Sequence, residues 1–463
     1  MRYDLAVIGG GPAGLAAAFF AGRMGASVVL VEADHVGGDC TWTGCVPSKS
    51  LVHAARVVRQ ARASGWLSTG SVDFPAVMAS VRDAVHRVSE LESSELVRGA
   101  GFELVIAPAR FRDPWTVEAG DRRLRARRFV VCTGAEPAAP TIEGLSQTPH
   151  LTYRTVFELQ SLPPRLLVLG GGPTGVELAQ AFRRLGSEVV VVEQLDRLIP
   201  SADPEAGALV EKRFRQEGIE LSLGVAVERV ESAGGEVALI AGGRRHSGDA
   251  LLVALGRRPR VDGLGLNGIG VRVSRNGVEV DANLRTSLRH VYAAGDVTGA
   301  IQFTHYAAWQ GYAAARNALF PGQVRGVRSS VPWAVFTDPE VAQVGLREEE
   351  ARSGGRSVQV HRWPVERIDR AQTEGETTGF LKLVTTGGDR LLGATIVSAG
   401  AADLANQLSV ALEAGVSLSR LTRTIHIYPT RGFGMFQLAS SVRMEAAAAS
   451  RAVRLIRRLT WGR

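Results

Sequence analysis

The chain has 463 residues, 45% of them hydrophobic and 22% charged, with a formal net charge of +8 at pH 7 and three cysteines. That length exceeds what one hydrophobic core serves and predicts roughly two to four domains, while the composition excludes disordered, fibrous and disulfide-scaffold classes. No apolar stretch reaches the ~20 residues of a membrane span, and Met1 runs almost directly into an apolar strand, so neither a span nor a signal peptide is expected. An odd cysteine count fits a reducing, cytoplasmic compartment.

The basic excess is nearly all arginine, with lysine only at Lys49, Lys212 and Lys382. The arginines are scattered rather than clustered, which predicts a solvated surface and no nucleic-acid partner. In such a chain a lysine at position 49 hints at a site that needs an ammonium, because the two cations are not interchangeable.

Tyr3 to Ile8 is a short apolar strand that ends in Gly9-Gly10-Gly11-Pro12-Ala13-Gly14. An Ala-rich helix follows, then the strand Ser27 to Val31 ending at Glu32. In this arrangement Gly9 permits the tight turn, Gly11 lets the backbone approach a pyrophosphate, and Gly14 lets the helix pack on the strand. Glu32 is placed to accept hydrogen bonds from a ribose diol. Directly after comes Gly37-Gly38-Asp39-Cys40-Thr41-Trp42-Thr43-Gly44-Cys45-Val46-Pro47-Ser48-Lys49, a C-x4-C pair beside a dinucleotide fold. A structural staple needs no Gly-rich loop, and zinc needs further Cys or His ligands that the neighbourhood lacks. The pair therefore reads as redox-active, and no metal site is expected.

Further along, Asp73 to Val97 predicts a long helix and Phe102 to Glu118 a hairpin region. Phe129-Val130-Val131-Cys132-Thr133-Gly134 reads as a buried strand reaching a turn, with Cys132 a buried, inert thiol. The opening pattern then recurs about 160 residues on: Leu166 to Leu169, Gly170-Gly171-Gly172-Pro173-Thr174-Gly175, a helix, and Glu188 to Val192 ending at Glu193. This repeat means two dinucleotide-binding folds, the second using Gly170, Gly172, Gly175 and Glu193 as the first uses its own. Glu193 favours an unphosphorylated ribose and so NADH over NADPH, with Arg197 near enough to soften the preference. Ala250 to Leu255 with Gly256-Arg257-Arg258-Pro259 closes the second unit. From Val331 the chain alternates strands and helices without glycine fingerprints, which predicts a third domain.

Together these motifs resemble the class I flavoprotein disulfide reductases (pyridine nucleotide-disulfide oxidoreductases), which include dihydrolipoamide dehydrogenase, glutathione reductase and mercuric reductase. The resemblance spans nearly the whole chain. It runs through Cys40 to Lys49, Thr133-Gly134, Gly170 to Glu177, Gly256 to Pro259, Ala294-Gly295-Asp296 and Phe336-Thr337-Asp338-Pro339-Glu340-Val341. It implies an α/β fold with an FAD-binding domain (1–150 and 278–330), an NAD(P)H-binding domain (151–277) and an α+β dimerisation domain (331–445), followed by a basic tail (446–463). It also implies roles. Cys45 would be the thiolate next to the flavin and Cys40 the interchange thiol; Lys49 would sit by flavin N5 and pair with Glu177. Thr133, Gly134 and Gly256 would line the cofactors, Asp296 would bind the ribityl chain, and Ala307 would lie near the pyrimidine edge. A homodimer follows, with the acceptor site between subunits.

The pattern breaks near the C-terminus. Disulfide-reducing members carry His-Pro-Thr-x-x-Glu, whose His protonates the leaving thiol; here Tyr428-Pro429-Thr430-Arg431-Gly432-Phe433 stands in its place. A tyrosine of ordinary pKa near ~10 is a poor base at neutral pH, though it donates a proton or hydrogen bond. His426, two residues earlier, reads as a structural histidine. Lipoamide or glutathione turnover is therefore not expected, and a mercuric-reductase-like acceptor fits better, although that branch's C-terminal cysteine pair and N-terminal heavy-metal domain are missing. The leading expectation is an oxidoreductase passing electrons from NAD(P)H through FAD and Cys40–Cys45 to a disulfide, metal or other small acceptor. A diaphorase or quinone reductase that bypasses the thiols, and a non-enzymatic redox-sensing flavoprotein, are the alternatives. The tail from Arg451 to Arg463, a basic amphipathic helix with Val453, Ile456 and Leu459 on one side, is expected to pack on the body of the protein rather than on a membrane surface.

Overall fold

The computed structural model describes residues 2–67, 70–92, 99–355, 357–387 and 389–461. They form two compact units, one of residues up to Gln194 with Gly218–Ser329, the other of Leu195–Glu217 with the residues from Ser330 onward.

The first unit is built on two mainly parallel sheets. In the larger, strand Arg2–Ile8 lies between Val28–Glu32 and Arg122–Val131, parallel to both. Strands in that position are buried on both faces, which is why they read as near-continuous apolar runs instead of alternating ones. Glu103–Ile106 extends the sheet beyond Val28–Glu32, and Val291–Ala293 pairs with the end of Arg122–Val131. The region 102–118 is thus not one hairpin. Leu104 and Val105 are consecutive buried residues in a parallel strand, whereas Ala109–Asp113 and Thr116–Ala119 make the hairpin and lead antiparallel into Arg122–Val131. The second sheet runs Glu220–Leu223, Glu188–Glu193, Arg165–Leu169, Ala250–Val253, all parallel, beside a three-stranded antiparallel sheet over 227–248.

In both sheets the strand that ends in a glycine fingerprint is central, with neighbours on either side, and the turn sits at its carboxyl end. That crevice is where open α/β sheets bind ligands. The predicted helix from Asp73 forms as Phe74–Leu91, Asp73 capping it through a 3.0 Å hydrogen bond from Ala76 N–H, and its apolar face is Phe74, Met78, Val81 and Val85. Residues 93–97 of that prediction lie outside the described residues.

The second unit centres on a five-stranded antiparallel sheet, in the order Trp333–Val335, Glu340–Gly345, Leu391–Ser398, Phe380–Thr386, Val358–Pro364. Helices Ala401–Glu413 and Phe433–Ala449 contribute Leu404, Leu408, Met435 and Leu438 to a core shared with Leu381, Leu383 and Ile396. Between Leu381 and Leu383 the chain points Lys382 to the other face, as strand periodicity requires. Its ammonium there meets Asp203 at 2.8 Å, Glu205 at 2.8 Å and Glu348 at 2.9 Å. Helix Pro204–Gln216, which begins beside two of those carboxylates, belongs to this unit.

The tail forms a helix over Arg451–Trp461 in which no residue is buried. The expectation that it packs on the body is therefore corrected: the helix lies beside Phe433–Ala449 but buries none of its side chains. Residues 462–463 of the predicted tail lie outside the described residues.

Candidate functional site

Each fingerprint turn is shaped by what its glycines lack. Gly9 has φ +105°, and a Cβ on it would stand 2.3 Å from the Cys132 carbonyl oxygen; a Cβ on Gly14 would stand 1.8 Å from the Gly9 oxygen. The second turn repeats this geometry, with Gly170 at φ +114° and a Cβ on Gly175 lying 1.9 Å from the Gly170 oxygen. The middle positions differ: a Cβ on Gly11 would find only the Gly38 Cα at 4.0 Å, and one on Gly172 nothing within 4 Å. Crowded flanks with an open middle suit a backbone meant to meet a pyrophosphate, and each turn leads into a helix N-terminus. At the end of the next strand Glu32 accepts a 2.5 Å hydrogen bond from Gly10 N–H and Glu193 a 2.6 Å one from Gly171 N–H. Both carboxylates therefore sit beside their turns, where a ribose would arrive.

Around the first turn, Thr133 Oγ1 donates to the Arg260 carbonyl at 2.7 Å, and Gly134 (φ +70°) accepts from Arg260 N–H at 2.9 Å. Gly256, at φ +99°, accepts from Ala138 N–H. Asp296 pairs with the Arg257 guanidinium at 2.8 Å, and burial pushes its carboxyl above the ordinary range despite that arginine. Ala307 is buried on helix Thr304–Leu319, against Gly295.

The thiols occupy two short, adjoining helical starts. Cys40 lies in the turn of helix Gly38–Trp42, and Cys45 is the first residue of helix Cys45–Ala63. A helix N-terminus favours a thiolate. The Cys45 thiol is held down to about 6, first by a hydrogen bond from Cys40 and then by Thr304 and the Lys49 charge, which together outweigh burial. Cys40 moves the opposite way, raised by its hydrogen bond to Cys45, by burial and by the Cys45 charge. Lys49, one helical turn beyond Cys45, donates a 2.6 Å hydrogen bond to the buried Glu177 on helix Pro173–Leu185. Cys132 is fully buried with its pKa raised by burial, and is unsuited to redox exchange.

Three features were not anticipated. Thr304 Oγ1 lies 3.2 Å from Cys45 Sγ although 259 positions separate them. The Asp39 carboxylate, next to Cys40, accepts from Tyr153 OH at 2.8 Å and from Arg154 at 2.9 and 3.0 Å, which pins the dithiol loop. In the second unit, Tyr428 OH donates to Asp369 at 2.9 Å and its ring stands edge-on to Phe433. That hydrogen bond and the Asp369 charge push the Tyr428 hydroxyl above its ordinary value. His426 is engaged locally, its Nε2 lying 3.2 Å from the Leu421 oxygen. Asp369 opens the short helix Asp369–Glu374, and a lone Asp-Arg in the sequence carries no signal of that role.

Two dinucleotide folds, with a polarised thiol pair on two adjoining helices that follow the first fingerprint unit, define a class: a redox protein coupling nucleotide chemistry to sulfur. Comparison with known proteins agrees. The family model described as pyridine nucleotide-disulphide oxidoreductase matches residues 3–311, and that for the family's dimerisation domain matches residues 331–434. A mercuric reductase of Lysinibacillus sphaericus is 37% identical over 444 residues, 94% of this chain and 81% of that protein. A dihydrolipoyl dehydrogenase of Thermus scotoductus is 37% identical over 455 residues, 96% of this chain and 98% of that one. The Cu(II) complex of the HOCl-induced flavoprotein disulfide reductase RclA from Escherichia coli superposes with a TM-score of 0.87 at 29% identity, covering 96% of this chain and 100% of that one. The chain belongs to the pyridine nucleotide-disulphide oxidoreductases, FAD-containing enzymes that use NAD(P)H. Among the described residues no helix is long and apolar enough to cross a membrane, and no group of three or more His, Cys, Asp or Glu is arranged to hold a metal ion.

Proposed function

We propose that the protein oxidises NADH, carries the electron pair through FAD to the Cys40–Cys45 pair, and delivers it to a soft metal cation or another small acceptor. FAD, when bound along the first fingerprint (Gly9, Gly11, Gly14, Glu32) with Thr133, Gly134, Asp296 and Ala307 about it, supplies the two-electron relay between hydride and sulfur. Gly170, Gly172, Gly175, Glu193 and Gly256 line the nicotinamide nucleotide's site, and the Glu193 charge disfavours a 2′-phosphate.

The carrying observation is the setting of Cys45, which begins a helix, lies 3.2 Å from Thr304 Oγ1 and stands one turn from Lys49. Two electrons cleave the Cys40–Cys45 bond and one proton completes the reduced pair. With Cys45 lowered to about 6 and Cys40 raised, that proton rests on Cys40, leaving Cys45 the thiolate at neutral pH. Lys49 supplies the nearby positive charge, and Glu177 orients its ammonium. At the outer end Tyr428 commits its one O–H to Asp369 and so keeps its proton, offering no base where an imidazole would serve as acid and base. A soft cation asks for two thiolates and no such imidazole, and this favours the metal acceptor over a disulfide. The exposed Ile425 and Ile427 beside Tyr428 suit a homodimer interface formed by the dimerisation domain.

Anaerobic titration with NADH tests the relay. A long-wavelength thiolate–flavin band is expected in the wild type and in Cys40→Ser and is expected to vanish in Cys45→Ser; if neither substitution alters the reduced spectrum, the thiols are not on the path. Reoxidation by mercuric ion, Cu(II), lipoamide, glutathione disulfide and quinones then ranks acceptors. Full quinone turnover by the double Cys→Ser variant would instead make the protein a diaphorase.

A further inference from the structure

Helix Arg451–Trp461 carries four large apolar or aromatic side chains that stand exposed. Leu455 is 57% exposed, Ile456 53%, Leu459 76% and Trp461 67%, and no residue of the helix is buried. At about 100° per residue, Leu455, Leu459, Ala452, Ile456 and Val453 fall in one arc of roughly 160°, whereas Arg457, Arg454, Arg458 and Arg451 occupy about 120° on the other side. Trp461 lies within the basic arc, its ring 5.7 Å from the Arg457 guanidinium carbon. No acidic residue follows Glu445 in the sequence. Such a segregated, acid-free helix ending in tryptophan has the anatomy of an interfacial segment.

The charge decides what covers it. A second copy of this chain carries a net +8, so as a whole it offers four arginines no attraction. A nucleic acid would engage the arginines and leave the leucine–isoleucine arc in water, where it is now. An anionic bilayer satisfies both arcs at once: its phosphates lie at the level of the guanidinium groups and its acyl boundary at the level of the apolar side chains. Eleven residues are too few to cross, since a span takes about twenty.

We propose that Arg451–Trp461 is a surface anchor that docks the protein reversibly on anionic lipid bilayers, lying in the headgroup plane with Leu455, Ile456 and Leu459 inserted. This is independent of the electron acceptor.

Flotation of the full-length, FAD-loaded protein with lipid vesicles tests it. The protein is expected to float with phosphatidylcholine–phosphatidylglycerol vesicles at low salt, to do so far less at high salt, and to stay behind with phosphatidylcholine alone. Arg454→Gln/Arg457→Gln/Arg458→Gln should lower the partition coefficient on the order of 100-fold, since each basic side chain near the surface contributes roughly a fivefold factor and the three multiply. Leu455→Asp/Leu459→Asp should abolish flotation, and both variants should keep wild-type NADH-dependent dye reduction as a check on folding. Failure of the wild type to float overturns the proposal. Retained flotation of the leucine variant would do so too, by assigning binding to the arginine-rich body. A variant that changes the mass in light scattering would instead place the helix at a contact between copies.

Discussion

At the scale of single residues, the chemistry turns on one sulfur. Cys45 combines a helix N-terminus, a lysine one turn away and a hydroxyl from a distant helix. The first two are local and can be read from Cys45-Val46-Pro47-Ser48-Lys49 itself, because helical spacing places i and i+4 on one face. The Thr304 contact comes from folding alone, and no spacing announces it. A hydrogen bond to a charged group contributes about 1.5–3 kcal/mol, so Thr304→Val should raise the Cys45 pKa by roughly one to two units. The rate of alkylation by iodoacetamide against pH measures this. In the wild type the reactive thiolate is lost as pH falls through about 6, and in the variant that fall should begin nearer neutrality. An unchanged profile would mean that Thr304 only fills space. Tyr428 teaches the same lesson from the other side: the tyrosine stands in the sequence where the family resemblance expects a histidine, but its carboxylate partner Asp369, 59 positions away, is announced by nothing.

At the scale of elements, the glycine-fingerprint turns were legible because their spacing encodes a local backbone path that other residues cannot follow. The strand at 103–106 was misread with its neighbours, since short apolar runs look alike until their pairing is known. Lys382 was visible only as one of three lysines. Its 2.8–2.9 Å contacts to Asp203, Glu205 and Glu348 hold helix Pro204–Gln216 to the antiparallel sheet of the same unit. Lys382→Met would leave Asp203 buried without its cation and should destabilise this unit by roughly 3 kcal/mol, read as a lower midpoint of thermal unfolding. Asp203→Asn/Lys382→Met should recover part of that loss. The cluster also has a pH signature. The Glu205 carboxyl is depressed to about 2, chiefly by Arg362 and then Lys382, so its contribution is present above the ordinary carboxylate value of 4.5 and is lost as pH falls from there through about 2. Glu205 is partly exposed, so that contribution is modest; the acid loss should nevertheless be smaller in Lys382→Met than in the wild type.

For the whole molecule, the decisive feature is apolar surface that a lone chain leaves in water. Ile425 is 97% exposed and Ile427 78%, both on the segment before Tyr428 in the dimerisation domain. Burial of isoleucine on this scale drives association. Ile425→Asp/Ile427→Asp should shift the protein from dimer to monomer in size-exclusion chromatography with light scattering, with FAD content unchanged. A dimer that survives both substitutions would move the interface elsewhere.

Residues close enough to share a turn or one helix carry the two dinucleotide folds, the thiol pair with its lysine, and Tyr428 in the place where the family resemblance expects a histidine. The tertiary structure alone decided which distant groups reach them: Thr304 on Cys45, Tyr153 and Arg154 on Asp39, Asp369 on Tyr428, Asp203 on Lys382. It also decided that the basic tail lies uncovered. Contacts of that range depend on how whole elements pack, and packing is set by the summed burial of a core, to which no single motif testifies.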